Sequence, residues 1–293
     1  MHRMYRICAK SIIIGLALVS LLSCQKEEPL KEVDDVCTQI DDIIFMDFCY
    51  KTFDVNGDTK VSMSEAAAVN KINLDGKSIY SLKGIDYFVN LTSLRCSNNK
   101  LTSLDVSKNT ALTDLECHGN QLTSLDVSKN TSLEMLECDR NQLTSLDVSK
   151  NTSLRWLLCS DNQLTSLDVS KNTSLERLEC YGNQLTSLDV SKNTALIYLH
   201  CFRNQLTSLD VSKNTSLEML ECDRNQLTSL DVSKNTSLRW LRCSENQLTS
   251  LDVSNNKALE HLDCRKNPLI TLYISSDQPL IFDIPEGCSV VYI

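Results

Sequence analysis

Glycine, proline and aromatic residues are all scarce in this chain: 7 Gly and 4 Pro among 293 residues, with Phe, Trp and Tyr together at 5%. Beside 42% hydrophobic and 23% charged residues, so little Gly and Pro excludes collagen-like, proline-rich and disordered classes. A packed chain is expected, and the length allows about two domains. Positive charge is short as well, with 29 Lys and Arg against 38 Asp and Glu for a net −9. Phosphate binding draws on cationic surface, so no nucleic-acid partner is expected. Only four histidines occur. His2 lies at the N-terminus, and His118, His200 and His261 have no Ser or Cys nucleophile with a third orienting group at recognisable spacing. There is no phosphate-cradling glycine loop, and the carboxylates recur in regular ladders, so the chain reads as no enzyme.

Long apolar runs are missing too. The longest, residues 11–22, falls short of the roughly 20 residues that span a bilayer as a helix. With Arg3, Arg6 and Lys10 ahead of it, it reads as a signal-peptide core covering residues 1–23. Leu21-Leu22-Ser23-Cys24 then resembles a bacterial lipobox, which implies that Cys24 is acylated and becomes the mature N-terminus. Gln25-Lys26-Glu27-Glu28 is similar to the export signal of Bacteroidetes lipoproteins. That resemblance implies an outer-membrane protein facing the cell exterior and touching the membrane only through its lipid. Residues 24–36 form the acidic tether.

Residues 37–72 read as a small helical segment, Ile40 to Phe53 and Ser64 to Ile72, around the loop Asp54-Val-Asn-Gly-Asp-Thr-Lys-Val-Ser-Met-Ser-Glu65. Its spacing is that of an EF-hand. Calcium takes six to eight hard oxygens, and the layout offers Asp54, Asn56, Asp58, the Lys60 carbonyl, Ser62 and Glu65. Position six, normally glycine at positive φ, is Thr59, a substitution costing about 1–3 kcal/mol in backbone strain. A weak, solitary calcium site is expected, clamping a cap over the end of the array that follows.

From Leu91 to Leu269 the chain repeats itself every 21 residues, and repeats decide a fold before local propensity does. The unit Leu112-Thr-Asp-Leu115-Glu-Cys117-His-Gly-Asn120-Gln-Leu122 recurs from Leu91, Leu133, Leu154, Leu175, Leu196, Leu217, Leu238 and Leu259, without a gap. It fits LxxLxCxxNxL and is identified as a member of the leucine-rich-repeat family, in the form of Bacteroidetes surface proteins with NQLTSLDVSKNT units. Residues 73–90 resemble the entry repeat of internalin-like proteins, residues 91–269 are nine repeats, and 270–293 form a C-terminal cap.

A core of leucines cannot close within one 21-residue coil but can be shared between stacked coils. The second half of each unit, such as residues 102–110, is rich in Ser, Thr, Asp and Val and too short for an α-helix. A repeat solenoid is therefore expected, with parallel strands in front and extended segments and turns behind. Asn99 and its successors read as a buried amide ladder. Nine cysteines from Cys96 to Cys264 hold one inward position, and in the absence of any CxxC pair they read as a buried free-thiol ladder, with disulfides between coils as the minor alternative. Cys37, Cys49 and Cys288 lie outside it, and a Cys37–Cys49 bridge stays open.

The back half hardly varies between coils, whereas the residues flanking the inward leucine in front do. Both tryptophans lie there. Trp156, Tyr181, Tyr198 and Phe202 fall on three successive coils and read as one aromatic patch. Residues 131–163 recur almost unchanged at 215–247, which sets Met135 and Trp156 against Met219 and Trp240 as two similar subsites. The candidate ligand-binding set is Met135, Trp156, Leu158, Arg177, Tyr181, Tyr198, His200, Phe202, Met219, Trp240 and Arg242, facing a protein or glycoprotein partner. The competing readings are a structural spacer and a polysaccharide-binding ladder on the back.

Overall fold

The computed structural model describes residues 33–278 and 281–293. The signal peptide, Cys24, the export signal and the start of the tether lie outside the described residues. None of the described helices is long and apolar enough to cross a membrane.

Within each coil one leucine points inward between two outward neighbours, which is the period of a strand one side of which is buried. The strands are accordingly only three residues long: β1 (Lys71–Asn73), β2 (Ser93–Arg95), β3 (Asp114–Glu116), β4 (Met135–Glu137), β5 (Trp156–Leu158), β6 (Arg177–Glu179), β7 (Tyr198–His200), β8 (Met219–Glu221) and β9 (Trp240–Arg242). With β11 (His261–Asp263) and β13 (Ile281–Asp283) they make one 11-stranded parallel sheet. The register is fixed by the repeat: Leu94 faces Leu115, Leu115 faces Leu136, and so on. At the usual strand spacing the sheet extends about 48 Å. Behind it, β10 (Ser250–Asp252), β12 (Thr271–Ile274) and β14 (Ser289–Tyr292) form a second parallel sheet at the C-terminal end, while the earlier coils return through extended segments and turns.

Leucines, cysteines and valines of each coil fill the space between the two sides. In one coil Leu154, Leu157, Cys159, Leu164 and Val169 are fully buried and Leu167 nearly so. All nine ladder cysteines are free and buried. Burial pushes the thiols up, Cys117 to about 12, so they behave as small hydrophobes and not as thiolates.

Asparagines stitch the coils together. Asn141 donates to the Cys117 carbonyl of the preceding coil at 3.1 Å and to its own Cys138 carbonyl at 3.0 Å, while its Oδ1 accepts the Leu122 N–H at 3.0 Å. This is the expected ladder, with both ends of the amide used. A second asparagine column runs behind it, from Asn109 to Asn256, and is fully buried. Asn151 donates to the carbonyls of Val127 at 2.9 Å and Asn130 at 2.8 Å, again reaching back one coil. The repeated back-face aspartates hold local turns. Asp147 accepts the Ser149 N–H at 2.8 Å, and the same bond recurs from Asp105 to Asp252. This turn-forming bond draws the carboxyls of Asp126 to Asp231 below the usual range.

The N-terminal end of the array is covered by a 3-10 turn (Val36–Gln39) and two helices, α1 (Ile43–Phe53) and α2 (Met63–Ala68). Asp42 caps α1 through the N–H groups of Ile44 and Phe45 and, with its other oxygen, accepts the Tyr80 N–H at 2.7 Å, tying helix to entry repeat. Phe45 and Phe53 pack on Phe88, at 6.4 and 5.3 Å between ring centres. Leu74, Ile79 and Leu82 are buried beneath. The second helix is shorter than the expected Ser64 to Ile72, because the chain leaves it to enter the front sheet as β1 before residue 73. Cys37 and Cys49 are buried and free; Cys49 is driven up by its hydrogen bond to Cys37 and by burial.

Candidate binding face

Three outward positions per coil lay three rows across the front sheet. The first row runs through Asp114, Met135, Trp156, Arg177, Tyr198, Met219, Trp240 and His261. The middle row runs through Arg95, Glu116, Glu137, Leu158, Glu179, His200, Glu221, Arg242 and Asp263. The third, two residues further along each coil, includes Ser97, His118, Asp139, Ser160, Tyr181, Phe202, Asp223 and Ser244.

Trp156 and Trp240 are 46% and 41% exposed, unusually open for tryptophan. Tyr181 and Phe202 stack at 4.3 Å with planes 6° apart. Arg177 lies over Tyr198 at 5.7 Å and bonds Glu179 through Nε at 2.6 Å. The expected single aromatic patch is thus two groups. Trp156, Arg177 and Tyr198 share the first row, Tyr181 and Phe202 share the third, and Leu158, Glu179 and His200 separate them.

His200 sits between Glu179 at 3.9 Å and Glu221 at 3.8 Å, and its Nε2 is buried without a partner. Burial pulls its pKa down against the two carboxylates. Elsewhere the middle row pairs off: Arg95 with Glu116 at 3.2 Å, Arg242 with Glu221 at 3.4 Å, and His118, from the third row, with Glu137 at 3.4 Å.

The two copied blocks have diverged in their surroundings. Trp156 and Met135 line a depression of about 140 Å³ with Asp114, Glu134 and Arg155. Trp240 instead stacks on His261 at 3.9 Å and borders an open depression of about 270 Å³ with Arg242, Asp263, Arg265 and Ile281, from which Met219 is absent. The copied residues recur, but the next strand presents Arg177 in one case and His261 in the other, so the local surfaces differ.

Sequence reasoning passed over Asp139. Its Oδ1 accepts the Ser160 N–H at 2.7 Å, and burial raises its carboxyl to about 6 despite that bond. It was visible in the repeat only as one of many outward acids; its burial arises from Ser160 and Tyr181 in the next two coils.

The loop 54–65 has its own geometry. Asp54 accepts the N–H groups of Gly57 at 2.8 Å and Thr59 at 3.0 Å; Glu65 crosses the loop to Val55 at 3.0 Å and Ser62 at 2.8 Å, closing a capping box on α2. Gly57 and Thr59 both take positive φ, 74° and 70°, so the threonine does adopt the conformation normally left to glycine. Asp54, Asn56, Asp58, Ser62, Glu65 and the Lys60 carbonyl suit a hard cation by type, though a cation must compete with hydrogen bonds now made by the carboxylates. Among the described residues no group of three or more His, Cys, Asp and Glu side chains converges as a metal site.

No family model matches the chain, and no curated protein matches it. Solved structures do. The functional domain of InlJ from Listeria monocytogenes, described as including a cysteine ladder, is 35% identical with a TM-score of 0.72; the match covers 89% of this chain and 63% of that one. A leucine-rich-repeat protein of Leptospira interrogans is 24% identical with a TM-score of 0.66, over 78% of this chain and 62% of that one. An internalin of Listeria monocytogenes, 19% identical with a TM-score of 0.61, is matched over all of its length and 89% of this chain. The chain thus spans less than two thirds of the first two structures. By fold it is a leucine-rich-repeat solenoid with a buried cysteine ladder, and its solved neighbours include internalin-type proteins.

Proposed function

We propose that this chain is a cell-surface lipoprotein that binds a protein or glycoprotein ligand on its front sheet, for adhesion or recognition, and performs no catalysis. The observation that carries the reading is the contrast between the two sides. Behind, the repeated Asp, Ser and Asn side chains serve turns and ladders that the fold itself needs. In front, the residues that vary between coils need no such explanation, and they include two open tryptophans and a stacked aromatic pair rimmed by charge, the composition of an interaction surface. The same fold is seen in the ectodomain of a plant receptor kinase in complex with CASPARIAN STRIP INTEGRITY FACTOR 2 and in the plant peptide hormone receptor RGFR1 in complex with RGF2. Their identities, 22% and 19%, support the fold alone.

The lipid anchor at Cys24, the outward-facing location and a calcium ion held by the loop at Asp54 to Glu65 belong to the same reading. Protease shaving of intact cells tests the location. The binding test uses soluble residues 25–293 as bait for surface glycoproteins. Trp156→Ala combined with Tyr198→Ala is expected to abolish capture with the melting temperature unchanged. Undiminished capture by that variant rejects the front face as the binding surface.

A further inference from the structure

Three times along the third row, an aspartate is followed in the next coil by a serine, and in the first two cases the serine N–H donates to the aspartate. Asp75 precedes Ser97, Asp139 precedes Ser160, and Asp223 precedes Ser244. At two of the three steps the middle row of that next coil supplies an arginine. Arg95 bonds Asp75 through Nε at 2.9 Å while the Ser97 N–H bonds it at 2.8 Å. Arg242 pairs with Glu221 at 3.4 Å and draws the carboxyl of Asp223 down against the rise that burial causes. At the remaining step the arginine position is Leu158.

Asp139 keeps the Ser160 N–H but has no cation paired with it among the described residues. Its neighbours do not supply one. His118, in the preceding coil, is taken up by Glu137; Arg140 turns to Asp161 at 4.0 Å; Glu179, two coils on, adds a second negative charge. Arg177 is held by Glu179. The Ser160 Oγ is buried and unpartnered, but so is that of Ser97 where Arg95 is present, so the hydroxyl does not distinguish this step. Tyr181, stacked on Phe202, has its hydroxyl raised by burial and then by the nearby charge of Asp139. The step therefore holds a carboxylate beside an aromatic pair and lacks the guanidinium that its two counterparts carry within the chain.

We infer that Asp139 and the Tyr181–Phe202 stack form the seat for an arginine side chain of the partner, inserted over Leu158 where Arg95 and Arg242 stand in the equivalent coils. This rests on the front-face reading and names the chemistry of its partner: a polypeptide segment carrying exposed arginine. A guanidinium matches such a site because it pairs with a carboxylate through two N–H groups and stacks on an aromatic face.

The probe is a tetra-arginine peptide, titrated calorimetrically against residues 25–293 at pH 7.5. Asp139→Asn, which removes the charge, and Leu158→Arg, which fills the seat from within, are each expected to weaken binding about tenfold or more. Asp47→Asn makes the same change of net charge on the helical cap and is expected to leave it unchanged. In the Leu158→Arg protein the Asp139 carboxyl, followed by carbon NMR, should titrate lower than in the wild type. The inference is overturned if the wild type does not bind the peptide, if the two front-face variants bind it as the wild type does, or if Asp47→Asn loses as much. Should it fail while Trp156→Ala with Tyr198→Ala still abolishes glycoprotein capture, the front face stands and the arginine seat does not.

Discussion

The front face keeps one carboxyl at a cost to the fold. Burial raises Asp139 to about 6, whereas the same side chain in the unfolded chain titrates near 3.9. The folded state therefore holds this proton more tightly, and the group's contribution to stability improves as the pH falls through 6 and is least favourable at neutral pH and above. Asp139→Asn, which keeps an oxygen for the Ser160 N–H, should stabilise the protein by about 2 kcal/mol at pH 7.5 and by almost nothing near pH 4. Asp223→Asn should gain less, because Arg242 already offsets part of the burial. Urea unfolding of the three proteins at the two pH values checks both. A half-buried acid that lowers stability is what a binding site retains and a mere scaffold would lose. The residue scale was also the least legible in sequence. Leu157, Cys159 and Asn162 declare themselves by period. Asp139 differs from Asp223 only through what neighbouring coils place beside it, Leu158 against Arg242, a comparison that needs the cross-strand register. The second asparagine column, from Asn109 to Asn256, escaped for the opposite reason: unvarying and set among Ser, Lys and Thr, it reads as turn composition although it is fully buried.

Elements were legible where the repeat governs them and less so at the ends. The front strands fall at the positions the inward leucines require, but β1 at Lys71–Asn73 lies outside the leucine pattern and owes its conformation to pairing with β2. The back strands β10, β12 and β14 form only toward the C-terminus, where the chain departs from the LTSLDVSKN unit. The calcium loop shows how element and residue meet. Thr59 at φ 70° carries the strain expected of a β-branched side chain in the left-handed region. Thr59→Gly removes that strain, and since the loop already takes this conformation without the ion, the gain belongs to folding: it should raise the melting temperature, by about 1 kcal/mol in stability, and leave the affinity for calcium nearly unchanged. Glu65→Gln should remove the calcium response and, by loosening the capping box, cost about 1 kcal/mol without the ion. Thermal unfolding of the three proteins with millimolar calcium or a chelator is the measurement. A wild-type midpoint that calcium does not move would leave the loop a turn held by hydrogen bonds alone.

At the scale of the whole molecule, stability and recognition are separable because the solenoid is nearly one-dimensional. Each coil touches only its neighbours, and the contacts that join coils, leucine core, cysteine ladder and two asparagine columns, are the same at every junction. Excising residues 112–132 or residues 175–195 removes one 21-residue coil either way and rejoins a junction of unaltered type. Both proteins should fold, with similar circular dichroism and melting temperatures lowered by similar small amounts. Their surfaces, however, are not equivalent. The first excision takes away Asp114, Glu116 and His118 and shifts the remaining coils together. The second takes away Arg177, Glu179 and Tyr181, breaks the stack on Phe202, and brings Tyr198 one strand spacing, about 4.8 Å, closer to Trp156. Ligand capture by residues 25–293 should survive the first and be lost in the second, with the tetra-arginine peptide following the same pattern. Equal loss in both would mean that recognition is spread along the array, and equal retention would move it off the central coils altogether.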